Sequence, residues 1–324
     1  MDVHRLVLEA AKRLAGRVVR TPLVHSAALS ERSGAEVFLK LETLQHTGSF
    51  KIRGALNRLL ALEEDERLRG VIAASTGNHG LAILRAAAET GTEAEIWVPE
   101  SAEPGKVSSL RELGASLVVA GAECAETEIL ARAEAESSGR VYVSAYNDLL
   151  VVAGQGTIGP EILDELPSVT AVVASVGGGG LISGVAGYLT GERPGTRVYG
   201  ALPERSPAMA ESVRAGRIVD APVGPTLSDA TAGGVEPGAV TFDLCRRLVS
   251  GWTIRSEDEI ADWIRILSGE GHTVEGSAAL AAAGTVALAL DRVIGSGDVV
   301  CAVLCGRNID SETHRRILNE EAPR

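Results

Sequence analysis

The sequence predicts an α/β fold built from two domains, and three observations support that prediction. Short β-rich runs alternate with helical segments along most of the 324 residues, as in an open sheet with helices packed against it. The run at 170–176 is unbroken and apolar, which is typical of a parallel strand covered on both faces. The length suits about two domains of roughly 150 residues each. We expect a smaller α/β domain at 49–145, inserted into a larger one formed by 1–48 and 146–324.

Each predicted element has a local signal. Gly91, Gly114 and Gly139 each follow a predicted helix, where a C-cap favours glycine. The Ser-Glu-Asp-Glu sequence at 256–259 is a capping box that opens another helix, and the Gly- and Pro-rich residues 220–238 predict a long surface loop. Strands are predicted at 36–41, 70–74, 94–98, 116–120, 141–144, 170–176, 197–201 and 298–304, and helices at 3–15, from 51 onward, 79–90, 105–113, 123–137, 156–165, 180–189, 207–215, 275–290 and 311–318.

Composition and charge exclude several classes of partner. The formal net charge is −12 and the pI is about 5.1, which disfavours nucleic acids and anionic membranes as partners. No apolar stretch reaches the roughly 18 residues of a membrane span, and residues 1–5 lack the apolar region of a signal peptide. Four cysteines without metal or disulfide spacing indicate reduced thiols. We therefore expect a cytoplasmic protein that binds neither nucleic acid nor membrane.

Lys51 is one of only four lysines among the 31 lysine and arginine residues. Arginine stays protonated, whereas lysine can lose its proton and attack a carbonyl. Lys51 follows the sequence Thr-Gly-Ser-Phe at 47–50 and precedes an apolar-periodic run, which predicts the first turn of a helix. The helix dipole disfavours an ammonium group there. The sequence thus predicts an amine of lowered pKa that can form a Schiff base.

Four consecutive glycines, Gly177, Gly178, Gly179 and Gly180, follow the apolar strand and open a helix at Leu181. Without Cβ atoms, their N–H groups can turn toward one anion, and the helix N-terminus adds positive potential. The run lacks the Gly-Lys-Ser/Thr of a Walker loop and the third glycine of the dinucleotide fingerprint. We interpret it as a phosphate cradle. A tight turn without a ligand is the alternative, which the chain entropy lost by four glycines disfavours.

Two further loops lie where strands end. Ser75, Thr76, Asn78 and His79 come between a strand and a helix and suit a carboxylate, although helix capping alone is the alternative. Cys305 ends a buried strand, so its thiol either faces the crevice of the sheet or is a small core group. An amine, a phosphate cradle and a carboxylate loop together predict a site for pyridoxal 5'-phosphate.

The combined pattern resembles the fold-type II pyridoxal-phosphate enzymes, in the serine/threonine dehydratase and serine racemase branch. The similar stretches occur in the family's order across nearly the whole chain, at 40–55, 75–80, 153–157, 177–181 and 305–310. The resemblance implies the two-domain, open α/β architecture of the tryptophan synthase β-like enzymes.

By that resemblance, Lys51 carries pyridoxal 5'-phosphate and Asn78 hydrogen-bonds its phenolic oxygen. Residues 177–181 hold the phosphate, Cys305 faces the pyridine nitrogen where the family usually has serine, and Asn147 approaches the cofactor. A neutral group at the nitrogen makes the ring a weaker electron sink, which favours β-elimination over transamination.

The implied reaction is β-elimination from a small β-hydroxy amino acid such as L-threonine or L-serine, which yields a 2-keto acid and ammonia. Ser75, Thr76, Asn78 and His79 receive the substrate carboxylate, and Lys51 removes the α-proton. Thr76 stands where racemases of the family carry Ser and many dehydratases carry Ala. A serine or other amino-acid racemase, with Thr76 acting on the opposite face, is therefore the alternative within the family.

Other departures from the family pattern bear on metal dependence and on the substrate. Leu202 and Ala208 stand where metal-activated relatives carry acidic ligands, so we expect no magnesium or calcium dependence there. Residues 226–234 differ from the usual dehydratase sequence, which leaves a hydroxyectoine-pathway or β-hydroxyaspartate dehydratase open. Outside the family, the alternative is a nucleotide-binding module in which Lys51 is a surface charge. The family usually dimerises, so a homodimer is expected.

Overall fold

The computed structural model describes residues 2–319. Helices alternate with strands in two separate sheets, so the predicted α/β class is confirmed. The first part of the chain contains α1 (Val3–Leu14), β1 (Leu23–His25), α2 (Ala27–Ser33), β2 (Glu36–Leu41), α3 (Lys51–Leu60), α4 (Glu64–Arg69), β3 (Val71–Ala74), α5 (Asn78–Thr90), β4 (Ala94–Val98), α6 (Pro104–Glu112), β5 (Ser116–Val119), α7 (Cys124–Ser138) and β6 (Val141–Tyr142).

The remaining elements form the second half of the chain. They are α8 (Leu149–Gly156), α9 (Ile158–Glu165), β7 (Ala171–Ser175), α10 (Gly180–Glu192), β8 (Arg197–Pro203), α11 (Ala208–Ala215), α12 (Val240–Leu248), β9 (Gly251–Arg255), α13 (Glu257–Gly269), α14 (Gly276–Leu290), β10 (Val299–Leu304) and α15 (Ser311–Asn319). Short 3₁₀ turns occupy Glu42–Leu44 and Asp229–Thr231.

The larger sheet has the order β1-β2-β10-β7-β8-β9. Only the pairing of β1 with β2 is antiparallel among the strand pairs of residues 2–319, and the other pairs are parallel. Every residue of β7 is buried, and α10 and α14 are buried along most of their length. Because helices cover both faces, the central strands are apolar throughout, as the run at 170–176 predicted.

The smaller sheet has the order β5-β4-β3-β6, and its strands are all parallel. They lie between residues 71 and 142, whereas strands of the larger sheet lie on both sides of that range. We propose the division at 49–145 on this topology. The Lys51 helix α3 packs against α5 of the smaller sheet's layer and against α8. A Cβ at Gly154 of α8 would overlap the backbone of α3, so glycine is required at this close crossing.

Several elements differ from their predicted bounds. The helix predicted at 156–165 is α9, which begins at Ile158, and the helix before it, α8, was not predicted. The β-branched and glycine residues of α8 hide its helical period, and packing against α3 and α10 stabilises it. The predictions also omitted β1, α2, α4, α12 and β9. The capping box of α13 is present: Ser256 Oγ accepts from the Glu259 N–H, and Glu259 Oε2 accepts from the Ser256 N–H.

Candidate active site

Lys51 is the first residue of α3, as the sequence predicts, and it is only partly exposed. Its Nζ donates to the carbonyl of Ala145 at 3.0 Å and lies 5.2 Å from the centre of the Phe50 ring. Burial lowers the pKa of the Lys51 amine to about 8, although Cys305 and Glu275 partly offset that effect. An appreciable fraction of this amine is therefore neutral near pH 7, in the form that attacks a carbonyl.

Arg53, two residues beyond Lys51, joins the Lys51 helix to the 3₁₀ turn Glu42–Leu44 and to α9. Its guanidinium is fully buried and lies 2.8 Å from each oxygen of the equally buried Glu42. It also donates to Glu161 of α9 at 2.6 and 2.9 Å. Lys40, fully buried, donates to Glu161 at 2.8 Å. This Arg53 network fixes the start of α3 against the Glu42 turn and α9, and Lys40 of β2 joins it through Glu161.

The glycine run joins β7 to α10, and its shape is set by neighbouring groups. Gly179 adopts φ +86°, a conformation that glycine tolerates best. A Cβ on Gly177 would lie 2.9 Å from Thr231, and one on Gly178 would overlap the Tyr146 ring. Within residues 2–319, no acceptor takes the N–H groups of Gly177, Gly178 or Gly179. These donors, with the free N–H groups that begin α10, suit a phosphate.

Residues 75–77 join β3 to α5, and the predicted motif continues to Gly80 in the first turn of that helix. Ser75 Oγ accepts from the Gly77 N–H at 3.2 Å, and a Cβ on Gly80 would lie 2.8 Å from the Ser75 carbonyl. Thr76 is half-buried, and its hydroxyl forms no hydrogen bond with another group in the described residues. The loop therefore leaves a hydroxyl and the first N–H groups of α5 open to a carboxylate.

His79 is buried, and its ring forms a hydrogen bond with the backbone. Nε2 lies 2.9 Å from the Val143 carbonyl, which can only accept, so Nε2 carries the proton. Nδ1 is buried and has no hydrogen-bond partner within residues 2–319. Burial, together with the charge of Lys51, lowers the pKa of His79 to about 3, so the ring is neutral near pH 7. Only its backbone N–H remains a donor for a carboxylate.

Glu275 is a site residue that the sequence analysis missed. Its carboxylate is almost fully buried and accepts both the Asn78 side-chain amide, at 2.9 and 3.0 Å, and the Ser277 hydroxyl, at 2.5 Å. Burial raises the pKa of Glu275, although the hydrogen bonds from Ser277 and Asn78 oppose that rise. The sequence gives one sign of its role: Glu275 is an acidic residue directly before the uncharged helix α14. Helix capping is the ordinary explanation for such a residue.

Cys305 lies at the end of β10, as predicted, and its thiol is buried. Ser175 Oγ lies 3.4 Å from Cys305 Sγ, and Glu275 Oε1 lies 4.0 Å from it. Burial raises the pKa of the Cys305 thiol to about 12, so the thiol is neutral. All four cysteines are free.

Two ion pairs tie the segment at 220–239 to α6 and α7. Lys106 of α6 pairs with Asp229 at 2.9 Å, and Arg132 of α7 pairs with Glu236 at 2.6 Å. Asn147 Oδ1 accepts from the N–H of residue 240 at 2.8 Å, so this side chain orders the end of the segment. The approach of Asn147 to a cofactor remains a prediction.

Leu202 and Ala208 are buried and apolar, in the core cluster that packs around the larger sheet. Within residues 2–319, no group of three or more His, Cys, Asp or Glu side chains could hold a metal ion. No helix in the same range is long and apolar enough to cross a bilayer.

Comparison with known proteins decides the family. A sequence profile described as pyridoxal-phosphate dependent enzyme matches residues 14–306. The L-threonine ammonia-lyase of Thermotoga maritima is 42% identical over 315 residues, which are 97% of this chain and 77% of that protein. The chain belongs to the pyridoxal-phosphate-dependent enzymes. The predicted family and cofactor are thereby confirmed, and the alternative of a nucleotide-binding module is set aside.

Solved structures agree with that membership. The processed form of threonine deaminase isoform 2 from Solanum lycopersicum is 31% identical with a TM-score of 0.90, over 97% of this chain and 92% of that one. Maize serine racemase is 29% identical with a TM-score of 0.90, over 97% and 95% of the two chains. This pyridoxal-phosphate enzyme therefore has the fold of both eliminating and racemising relatives.

The lowered pKa of Lys51 predicts how the enzyme takes up its cofactor. We expect the rate of covalent capture of pyridoxal 5'-phosphate by the apoprotein to rise with pH and to level off above about 8, since the neutral amine is the nucleophile. Stopped-flow absorbance at a series of pH values measures this. Lys106 is the internal control: burial opposes its charge, but Asp229 and Glu103 raise its pKa, so it should not be labelled. A capture rate still rising at pH 10 would contradict the prediction.

Proposed function

We propose that this enzyme eliminates the hydroxyl group of a small β-hydroxy amino acid, such as L-threonine or L-serine, and releases a 2-keto acid and ammonia. The observation that carries the proposal is the Lys51 amine, whose pKa is lowered to about 8. Its Nζ donates to the carbonyl of Ala145, two residues after the Val143 carbonyl that the His79 ring contacts. Relatives named L-threonine ammonia-lyase and threonine deaminase support threonine as the substrate.

The residues present fit pyridoxal 5'-phosphate, which supplies a sink for negative charge at the substrate's α-carbon when it is bound. Lys51 would hold it at Nζ. The N–H groups of residues 177–181 would bind its phosphate, because they face no other acceptor in the described residues. Asn78 would donate to its phenolic oxygen, and Cys305 would face its ring nitrogen. The neutral thiol adds no charge there, which favours elimination over transamination.

The substrate carboxylate would be bound at the start of α5. The hydroxyls of Ser75 and Thr76 and the N–H groups of Asn78 and His79 lie together there, with the positive end of the helix. A carboxylate held by these groups leaves the α-proton for Lys51 Nζ to remove. The neutral His79 ring does not compete for that proton, since its pKa is lowered to about 3.

Racemisation is the second candidate activity, and Thr76 is the observation that favours it. Its hydroxyl is half-buried and forms no hydrogen bond with another described group, so it is free to exchange a proton on the face opposite Lys51. The likeness to maize serine racemase supports this candidate.

A substrate panel separates these activities. L-threonine, L-serine, β-hydroxyaspartate and hydroxylated diaminobutyrate are each incubated with the enzyme, and keto acid and the chirality of the remaining amino acid are measured. We expect keto acid from L-threonine and L-serine. The Thr76→Ala variant should lose racemisation and keep the kcat of elimination, with a higher KM because one donor to the carboxylate is removed. D-serine formed without keto acid would overturn the proposed elimination.

Turnover should not depend on a divalent cation. Leu202 is fully buried and stands where metal-activated relatives carry an acidic ligand. A leucine side chain cannot coordinate a hard cation. We expect the rate of keto-acid formation to stay within about 20% after treatment with EDTA and gel filtration. Adding magnesium back is the control, and a several-fold stimulation by it would contradict the prediction.

We also propose where the enzyme works and how it assembles. We place the enzyme in the cytoplasm because its four cysteines are free and three of them are buried. We also propose a homodimer, which light scattering on the purified chain tests.

A further inference from the structure

Asn78, Glu275 and Asn308 form a closed amide–carboxylate network beside the site. Asn78 Nδ2 donates to both oxygens of Glu275, at 3.0 and 2.9 Å. Asn78 Oδ1 accepts from Asn308 Nδ2 at 2.6 Å. Asn308 Nδ2 also donates to the Thr47 carbonyl at 2.8 Å, and the Asn308 backbone N–H donates to Glu275 at 3.2 Å.

The network allows only one orientation of each amide. A carbonyl oxygen can only accept, so the contact with Thr47 fixes the Asn308 side chain with its NH₂ inward. That NH₂ then requires the oxygen of Asn78 to face it. The carboxylate of Glu275 independently requires the NH₂ of Asn78 on the other side. Two separate constraints therefore agree on the orientation of Asn78.

Burial decides which constraint is the stronger one. Asn308 is exposed, so water competes for its hydrogen bonds. Glu275 is 3% exposed and Asn78 is 8% exposed, where a hydrogen bond to a charged group is stronger than one in water. A Cβ on Gly306 would lie 2.7 Å from Glu275 Oε1, so the carboxylate is also confined sterically. Glu275 is therefore the principal restraint on the Asn78 amide.

We propose that Glu275 is a positioning residue that holds Asn78 so that it presents a hydrogen-bond donor, and no acceptor, to the phenolic oxygen of the cofactor. Both oxygens of Glu275 accept from the Asn78 amide nitrogen, and the Asn78 Oδ1 accepts from Asn308. A primary amide has two N–H bonds, so when one serves the carboxylate the other remains for the cofactor. A lone donor selects the deprotonated phenolic oxygen. The inference rests on the role of Asn78 proposed above.

The first test uses Glu275→Gln in the full-length enzyme. The substitution keeps the size of the side chain but replaces one carboxylate oxygen with an NH₂ group. That NH₂ group then faces the donor groups of Asn78 or Asn308. We expect the Kd for pyridoxal 5'-phosphate to rise about tenfold, since roughly one charge-assisted hydrogen bond is lost. We also expect the pH midpoint of the bound cofactor's absorbance to rise. The matched control is Ser277→Ala, which removes a donor from the same carboxylate and leaves both amides in place. Its absorbance midpoint should equal that of the wild type.

A polarity swap distinguishes positioning from simple stabilisation. In the double variant Glu275→Gln with Asn78→Asp, the Gln amide can donate to the Asp carboxylate and accept from the Asn308 N–H, so the network is kept. We expect its thermal midpoint to return toward the wild-type value while cofactor affinity falls below that of Glu275→Gln. If Glu275→Gln lowers the thermal midpoint but leaves Kd and absorbance unchanged, the residue is only structural and the inference is wrong. Unchanged affinity in Asn78→Ala would instead refute the proposed role of Asn78.

Discussion

The variant Lys51→Ala is expected to lose at least about a thousandfold in turnover, because it removes both the amine that binds the cofactor and the base that takes the α-proton. Its fold should survive. Lys51 makes one hydrogen bond, to the Ala145 carbonyl, and the low pKa of its amine reflects an environment that disfavours the charge. We expect the thermal midpoint of the apoprotein to change by only a few degrees, about what the loss of 1 kcal/mol causes.

Lys51→Arg is the matched variant, because it keeps the positive charge and the length of the side chain but cannot act as a nucleophile. It should be as inactive as Lys51→Ala. Borohydride reduction of the wild-type holoenzyme, followed by peptide mass spectrometry, should find the cofactor on residue 51. Either a variant with a tenth of wild-type turnover or an adduct on Lys40 or Lys106 would refute the assignment.

The parts of the site that the sequence predicted share one property: their signals are local. Lys51 begins its helix, the glycine run at 177–180 joins a strand to a helix, and Cys305 directly follows a strand. Each of these positions follows from the few residues around it. In a parallel sheet such junctions lie at the same edge, so the sequence also predicted that they would converge.

The role of Glu275 could not be predicted from local signals because its partners are distant in sequence. The side chain of Asn78 lies 197 residues away from it, and that of Cys305 lies 30 residues away. Before the chain is folded, Glu275 is an acidic residue at the start of an alanine-rich helix, where a cap is the ordinary explanation. The hydrogen bond of the His79 ring could not be predicted for the same reason, since its partner is the distant backbone carbonyl of Val143.

The helix α8 was not predicted for a related reason. The residues of α8, Leu-Leu-Val-Val-Ala-Gly-Gln-Gly, include two valines and two glycines and have poor helix propensity. The buried helices on each side supply the stabilisation that propensity does not. The need for small residues where α8 crosses α3 is visible only in the structure. A Cβ on Gly54 or Gly154 would overlap the opposite helix.

The variant Arg53→Met is expected to lower the free energy of unfolding of the apoprotein by about 3–5 kcal/mol, the range for breaking a buried ion pair. Arg53 and Glu42 are both fully buried, so the substitution leaves the Glu42 carboxylate without its cation. Glu161 would keep Lys40 as a partner, at 2.8 Å. Urea unfolding followed by circular dichroism measures the loss. The control Arg67→Met removes a guanidinium from a more exposed position on α4, where it donates to the Leu62 carbonyl, and should change stability far less.

A double variant and a pH series show whether the effect comes from an unpaired charge. In Arg53→Met with Glu42→Met, both buried charges are gone, so part of the lost stability should return. Burial opposes ionisation of Glu161, but Arg53 and Lys40 outweigh it and lower its pKa. The stability that Arg53 gains from Glu161 is therefore complete above the unfolded pKa of that carboxyl and is lost as the pH falls through the folded pKa. The difference between wild type and Arg53→Met should shrink over that interval. A difference that is independent of pH, and a double variant no more stable than the single one, would mean that Arg53 contributes packing and not charge.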